Sequence, residues 1–302
     1  MRISTAWAQQ YAIDGINERQ SRLKDAQESI SSGRRVNRPS DDPAAAAQAE
    51  RLRSREARIG AETRAIGHAR EALSTADTAL TDATGVLQSA RDALLQAANP
   101  TLSASDRSNL ATALQQMRSQ LISVANRGDA VSGFVFGGQG TPTAPFAADG
   151  SGYTAQPGSL KVGQALPAEV SLDGRGVFTD IPAPGGKENI FSQLQAAVTL
   201  LQNPATTPQA AGAGARQAID SVDRTLDRVS MARTQVGERL KAVDMHQQAL
   251  ESGSIDLASR LSDLVDVDFA RAISDLNQHQ TAADAAMKAY AQVARLSLFT
   301  YL

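Results

Sequence analysis

Cysteine is absent from the 302 residues, which removes disulfide scaffolds, thiol nucleophiles and thiolate metal sites whatever the compartment. Aromatic residues make up only 4%, which argues against a wide globular interior. No run approaches the ~18 consecutive apolar residues of a membrane helix. The start Met1-Arg2-Ile3-Ser4-Thr5 lacks the apolar stretch of a cleaved secretion signal, so the chain is expected to be soluble when made and to use no cleaved signal if it leaves the cell. An excess of one charge is missing too: 30 Lys and Arg face 32 Asp and Glu, for a net charge of -2. Proline does not occur from Ala44 to Asn99 or from Gln209 to Leu302, leaving two long stretches free of helix breakers.

Those stretches are rich in alanine, 54 residues in the whole chain, which favours helix and close backbone approach. In the first, Leu52, Ile59, Ile66, Leu73, Leu80, Leu87 and Leu94 recur every seven residues, with Ala69, Ala76, Ala83, Ala90 and Ala97 three positions behind the later ones. This is a heptad seam. A helix over 43–98 is roughly 84 Å long at 1.5 Å per residue. Gly60, Gly67 and Gly85 weaken it by up to ~1 kcal/mol each relative to Ala, so lateral packing has to hold it. Its start is marked by Pro39-Ser40-Asp41-Asp42-Pro43: Asp42 is the expected N-cap, and Pro43 fits the first helical position, where no amide donor is missed. The return stretch alternates steps of three and four through Ile219, Val222, Leu226, Val229, Arg233, Val236, Leu240, Val243, Gln247 and Leu250.

The two ends carry weaker seams. Ile16, Leu23 and Ile30 repeat at seven with Gln20 and Gln27 between them; at the other end run Phe269, Ile273, Leu276, Gln280, Ala283, Met287, Tyr290, Ala294 and Tyr301, with Leu296, Leu298 and Phe299 in an apolar finish. Apolar ends require covering. Residues 1–60 hold 11 basic against 8 acidic side chains and residues 251–302 hold 4 against 7, a mild complementarity. Between the long stretches, residues 128–186 contain 13 of the 22 glycines and 6 of the 11 prolines, including the strand-like Gly133-Phe134-Val135-Phe136-Gly137-Gly138. Shorter helices are expected over 103–125 and 188–202. The fold class is therefore mainly α: a long antiparallel coiled-coil helical rod built from both chain ends, with a small β-rich lobe inserted mid-chain.

Reactive constellations are not visible. His68, His246 and His279 are scattered and read as exposed helix residues; Asp263, Asp266 and Asp268 lack the glycine and terminal glutamate of a calcium loop and read as helix caps. The glycines at 133, 137, 138 and 140 lack the lysine of a phosphate loop, and Gly212 and Gly214 lack a preceding strand, so both groups read as turn or flexibility signals. Arg51, Arg53, Arg55 and Arg58 are interleaved with Glu50 and Glu56, which describes a solvated helix face better than a nucleic-acid surface. No enzyme activity, cofactor, metal, nucleic acid or membrane partner is expected.

Ile30-Ser31-Ser32-Gly33-Arg34-Arg35-Val36-Asn37-Arg38-Pro39-Ser40-Asp41-Asp42-Pro43-Ala44 resembles the N-terminal signature of the bacterial flagellin family. The start at Met1-Arg2-Ile3-Ser4-Thr5 and the end from Asp266-Val267-Asp268-Phe269-Ala270 to Leu302 resemble the family's hook–filament junction members more than its filament subunits. The resemblance covers both flanks, about four fifths of the chain, and leaves 150–186 without a recognisable motif. It implies a structural adaptor of the flagellum, exported through the flagellar type III apparatus, with further copies of itself, hook-associated protein 1, flagellin and an export chaperone as partners. It also implies an inner coiled-coil domain from 1–40 and 265–302, a rod from 41–132 and 188–264, and an outer lobe over 133–187. The expected subunit-interface residues are Ile16, Leu23, Ile30, Phe269, Ile273, Leu276, Met287, Tyr290, Leu296, Leu298, Phe299 and Tyr301. A short flagellin and a cytosolic coiled-coil scaffold are the alternative readings.

Overall fold

The computed structural model describes residues 2–131, 133–163 and 168–299. Among the described residues six α-helices run in chain order: α1 (Arg2–Ser32), α2 (Pro43–Ala97), α3 (Ala104–Ala125), α4 (Ile190–Gln202), α5 (Pro208–Val265) and α6 (Phe269–Phe299). Three antiparallel strand pairs lie between α3 and α4: β1 (Gly128–Asp129) with β2 (Gly133–Phe134), β3 (Lys161–Val162) with β4 (Ala168–Glu169), and β5 (Ile181–Ala183) with β6 (Gly186–Glu188). Their registers place Gly128 opposite Phe134, Lys161 opposite Glu169 and Ile181 opposite Glu188. The chain divides into two compact units, 1–59 with 252–302 and 60–251, so α2 and α5 each contribute to both.

In the 60–251 unit the α2 seam is shut off from solvent: Ile66, Leu73, Leu80, Leu87 and Leu94 are buried, as are Ala69, Ala76, Ala83, Ala90 and Ala97. A third line, Ala72, Ala79 and Ala93, is buried as well, because this part of α2 belongs to a helical bundle and needs a broader apolar face than a two-stranded seam. Helix α5 runs antiparallel to α2, as the ion pairs Arg70–Asp244 (3.3 Å), Arg233–Asp77 (2.9 Å) and Arg91–Asp223 (2.7 Å) show by descending one helix while ascending the other. All three are well exposed; such pairs contribute ~1 kcal/mol or less, so they report the register rather than hold it.

The α5 seam is broader than the expected one. Val222, Val229, Val236 and Val243 are buried together with Ala218, Thr225 and Ala232, and the expected Ile219, Leu226, Leu240 and Leu250 pack half-buried against the same core, whereas Arg233 is exposed. Small side chains occupy the close line because α5 meets a broad alanine face, and Arg233 is turned out to Asp77. Gly212 and Gly214 are not turn residues: both sit inside the first turns of α5. A Cβ on Gly212 would lie 3.0 Å from the carbonyl oxygen of Ala98, and one on Gly214 would collide with the Leu200 side chain.

The lobe combines these short strand pairs with a cluster of aromatic edges. Of the expected strand-like run Gly133–Phe134 forms β2, Val135 goes on to bond Arg127 and Leu172 through its backbone, Gly137 bridges to Asp173, and Val135 and Phe136 are buried. Phe136 and Phe178 meet edge to face at 5.1 Å, and Phe146 stands against Tyr153, Phe191 and Phe178 at 5.2, 5.5 and 5.7 Å. Gly150 has φ 68°, and a Cβ there would lie 2.5 Å from the Cβ of Phe191. Buried Arg118 on α3 donates to the carbonyls of Phe191 (2.9 Å) and Asp149, joining the lobe to the helices. The Tyr153 hydroxyl donates to the Phe136 carbonyl at 2.9 Å; burial, with the Asp173 charge, pushes its pKa up to about 12.

Two outcomes follow from this packing. Leu73→Asp places an unpaired charge in the closed seam and is expected to unfold the 60–251 unit, a loss of at least ~4 kcal/mol in chemical denaturation, whereas Gly85→Ala, at an open helical position, should raise stability by up to ~1 kcal/mol. Because Tyr153 is held protonated, its contribution is complete below its ordinary value near 10 and is lost as pH rises through about 12. Near-ultraviolet dichroism of the lobe should therefore collapse in that window, and Tyr153→Phe should remove the Tyr153 part of this pH dependence.

Candidate assembly interface

Gly33 ends α1 with φ 69°, the left-handed conformation that favours glycine. Beyond it the chain pairs with the end of α5: Val267 N–H donates to the Gly33 carbonyl (3.0 Å), Arg35 N–H to the Val265 carbonyl (2.7 Å), and the Arg35 guanidinium to the Leu264 carbonyl (2.7 Å). Asp41 accepts the backbone N–H groups of Arg38 (2.8 Å) and Asn37 (3.0 Å). Asp42 accepts from Ala45 N–H (2.9 Å), capping α2 with Pro43 at its first position. The Arg38 amide bond lowers the Asp41 pKa and the Ala45 amide bond lowers that of Asp42. Asp268 caps α6 through Ala270 and Arg271 N–H (3.0 and 3.2 Å). Val36, Ala45, Ala49, Leu257 and Val265 form the small buried core of this elbow.

From the elbow, α1 and α6 lie against each other as an antiparallel hairpin, with the start of α6 beside the end of α1. Its seam is thin. On α6 the inward line is Ala272, Leu276, His279, Ala283, Ala286 and Tyr290, and only Ala283 is fully buried. On α1 the inward residues Ile16, Leu23, Ala26 and Ile30 are half-buried, while Gln20 and Gln27 point away, not into the seam. The expected interface residues therefore divide: Ile16, Leu23, Ile30, Leu276 and Tyr290 serve the hairpin, whereas Phe269, Ile273 and Met287 stay 53%, 50% and 43% exposed. Leu296, Leu298 and Phe299 fall on the last turns of α6; their side chains, and all of Tyr301, lie outside the described residues.

Sequence periodicity overlooked Trp7 and Tyr11, which stack at 5.8 Å and are 71% and 72% exposed, and Ile255, equally uncovered. Their only signal was being large and apolar away from the heptad lines. His246 is not an exposed helix residue: in the 60–251 unit its Nε2 lies 3.6 Å from Oε1 of Glu62, with both side chains largely buried, an encounter that required α2 and α5 to be aligned. Among the described residues no group of three or more His, Asp or Glu side chains could hold a metal ion, and no helix is long and apolar enough to cross a membrane.

The bacterial flagellin N-terminal helical region matches residues 3–140 and the C-terminal helical region matches residues 219–302. Flagellar hook-associated protein 3 of Escherichia coli is 32% identical over 315 aligned positions, covering 99% of both chains. This chain belongs to the flagellar hook-associated protein 3 family. A putative flagellar hook-associated protein from Vibrio parahaemolyticus shares the fold with a TM-score of 0.65 and 25% identity, covering 75% of this chain and 100% of that one. The flagellar junction protein FlgL from Legionella pneumophila, 18% identical, aligns with a TM-score of 0.59 over 73% of this chain and 100% of its own. In this hook-associated protein 3 relative, the signature from Gly33 to Pro43 is the stretch that forms the elbow.

Acid tests the elbow. The carboxylates of Asp41 and Asp42 titrate below the ordinary 3.8, so their stabilisation is complete above that value and is lost as pH falls through their folded values. Amide-exchange protection at 37–45 should fall in that range, and the Asp41→Asn, Asp42→Asn double variant should show weaker protection at neutral pH with little further loss in acid.

Proposed function

We propose that this protein is the structural junction between the flagellar hook and the flagellin filament, seated on hook-associated protein 1 and followed by flagellin. The observation that carries the reading is the contrast between the closed seam of the 60–251 unit and the uncovered Phe269, Ile273 and Met287 of the terminal hairpin, in a chain related to hook-associated protein 3 over its full length. Ordering a residue costs ~1–2 kcal/mol of backbone entropy, and the hairpin buries few side chains to offset it. Full ordering of 1–40 and 265–302 is then coupled to packing by neighbouring copies, so that assembly and folding of the ends are one event. A contact between different surfaces of identical subunits continues around a ring or tube.

Loosely held ends also suit passage, as an extended chain, through the flagellar type III export channel. An export chaperone covering the C-terminal helix keeps its apolar face from associating early. The assembled layers are an inner coiled-coil domain from the ends, a helical middle and an outward lobe, and the product serves motility as an extracellular structural part with no catalytic step.

Deleting the gene should leave hooks in place, release flagellin into the medium and abolish swimming; filaments that still grow on the deletion strain refute the junction role. Ile273→Asp with Met287→Asp, both at exposed positions, should change the stability of the isolated chain by no more than ~0.5 kcal/mol per site and yet abolish incorporation, read as leaked flagellin in the complemented strain.

A further inference from the structure

A groove of about 420 Å³ lies on the elbow, within the unit formed by the chain ends. Its floor is apolar, from Val36, Pro39, Pro43 and Val265 among others, and its rim carries Arg34, Arg38 and Arg53 against the single acid Glu50. Arg38 reaches Glu28 at 2.8 Å and Arg53 reaches Glu50 at 3.4 Å, but both guanidinium groups remain substantially exposed. The groove therefore selects an apolar or aromatic knob flanked by carboxylates: rings pack on the proline floor and on guanidinium planes, while the acids meet the arginine rim.

The chain carries that chemistry at the far end of α1. Trp7, Tyr11, Asp14 and Glu18 follow at spacings of four, three and four, which places them along one face of the helix. All four are exposed, and the two rings are already stacked at 5.8 Å with an interplanar angle of 19°. Asp14 accepts from Gln10 and Glu18 pairs with Arg22 within α1, exposed local contacts that exchange readily. The stripe cannot reach the groove of its own molecule. From Trp7 to the end of α1 at Ser32 is one continuous helix, on the order of 38 Å at 1.5 Å per residue.

We propose that the Trp7–Tyr11–Asp14–Glu18 stripe of one copy docks into the elbow groove of a second copy. This rests on reading the terminal hairpin as an assembly surface and names the pairing it uses. Stripe and groove are different surfaces, so each copy offers one of each and the contact propagates from copy to copy. It also sets the offset between joined copies at about the length of α1, and because it joins acids to arginines it weakens as salt rises.

Trp7 is the only tryptophan in the chain, so the purified full-length protein reports the contact without a label. Its emission should shift to the blue and its quenching by iodide should fall as the protein self-associates; an unchanged, quenchable Trp7 in the associated protein overturns the proposal. Asp14→Arg/Glu18→Arg reverses the stripe and Arg34→Glu/Arg53→Glu reverses the groove. Each variant alone should self-associate about tenfold more weakly, a loss of about 1.4 kcal/mol, and an equimolar mixture of the two should recover association, because one copy's cationic stripe meets the other's anionic groove. A mixture no better than either variant, with helix content intact by circular dichroism, overturns the pairing. Exposed Trp7 in the associated protein together with flagellin leakage from the deletion strain sinks this docking and leaves the junction role standing; buried Trp7 and restored mixing without leakage does the reverse.

Discussion

Methyl-sized side chains on one face of α2 set the terms for the rest of the molecule. Ala69, Ala76, Ala83, Ala90 and Ala97 let neighbouring backbones come close enough for Leu73, Leu80, Leu87 and Leu94 to be fully enclosed, and close packing is what stabilises a helix of 55 residues whose own propensity is weakened by internal glycines. The partner helix answers with small residues on its near line, Ala218, Thr225 and Ala232, and with glycine where the Ala98 carbonyl and the Leu200 side chain approach. The lobe is joined to this bundle through the buried guanidinium of Arg118 and the phenylalanine edges around Phe146.

Among the described residues of the ends the same device is not repeated. The described part of the α1–α6 hairpin has half-buried leucines and isoleucines, and on its inward α6 line Ala283 alone is fully buried. Its firm part is the elbow, where backbone pairing between 33–35 and 265–267 and the carboxylates of Asp41 and Asp42 fix both chain ends by hydrogen bonds rather than by apolar mass. A firm elbow with a thin hairpin is the arrangement on which the proposed assembly role rests.

Much of this was legible in advance for a simple reason. Heptad spacing, proline-free stretches and the Asp42–Pro43 start are local properties, and α2, α3 and α4 begin and end within two residues of the expected positions. Where the reading slipped, it slipped by one residue around a helix. Ile273 and Ala272 both satisfy a three-four alternation, and the larger apolar residue is the natural choice when the partner's shape is unknown. Gly212 and Gly214 failed for a related reason, since a glycine that admits a neighbour looks the same in sequence as one that makes a turn. The Glu62–His246 encounter and the elbow groove depend on residues far apart in the chain.

The order of amino acids by itself determined that this protein has two long helical stretches around a glycine-rich insert and no thiols, because each of those is a matter of composition or of spacing within one helix. Tertiary structure alone decided which side of each helix is closed and which is left open. Small side chains give several faces of a helix equal access to a partner, and only the packing of α2 on α5, and of α1 on α6, selects one of them; the faces not selected, with Trp7, Tyr11, Ile273 and Met287, stay exposed.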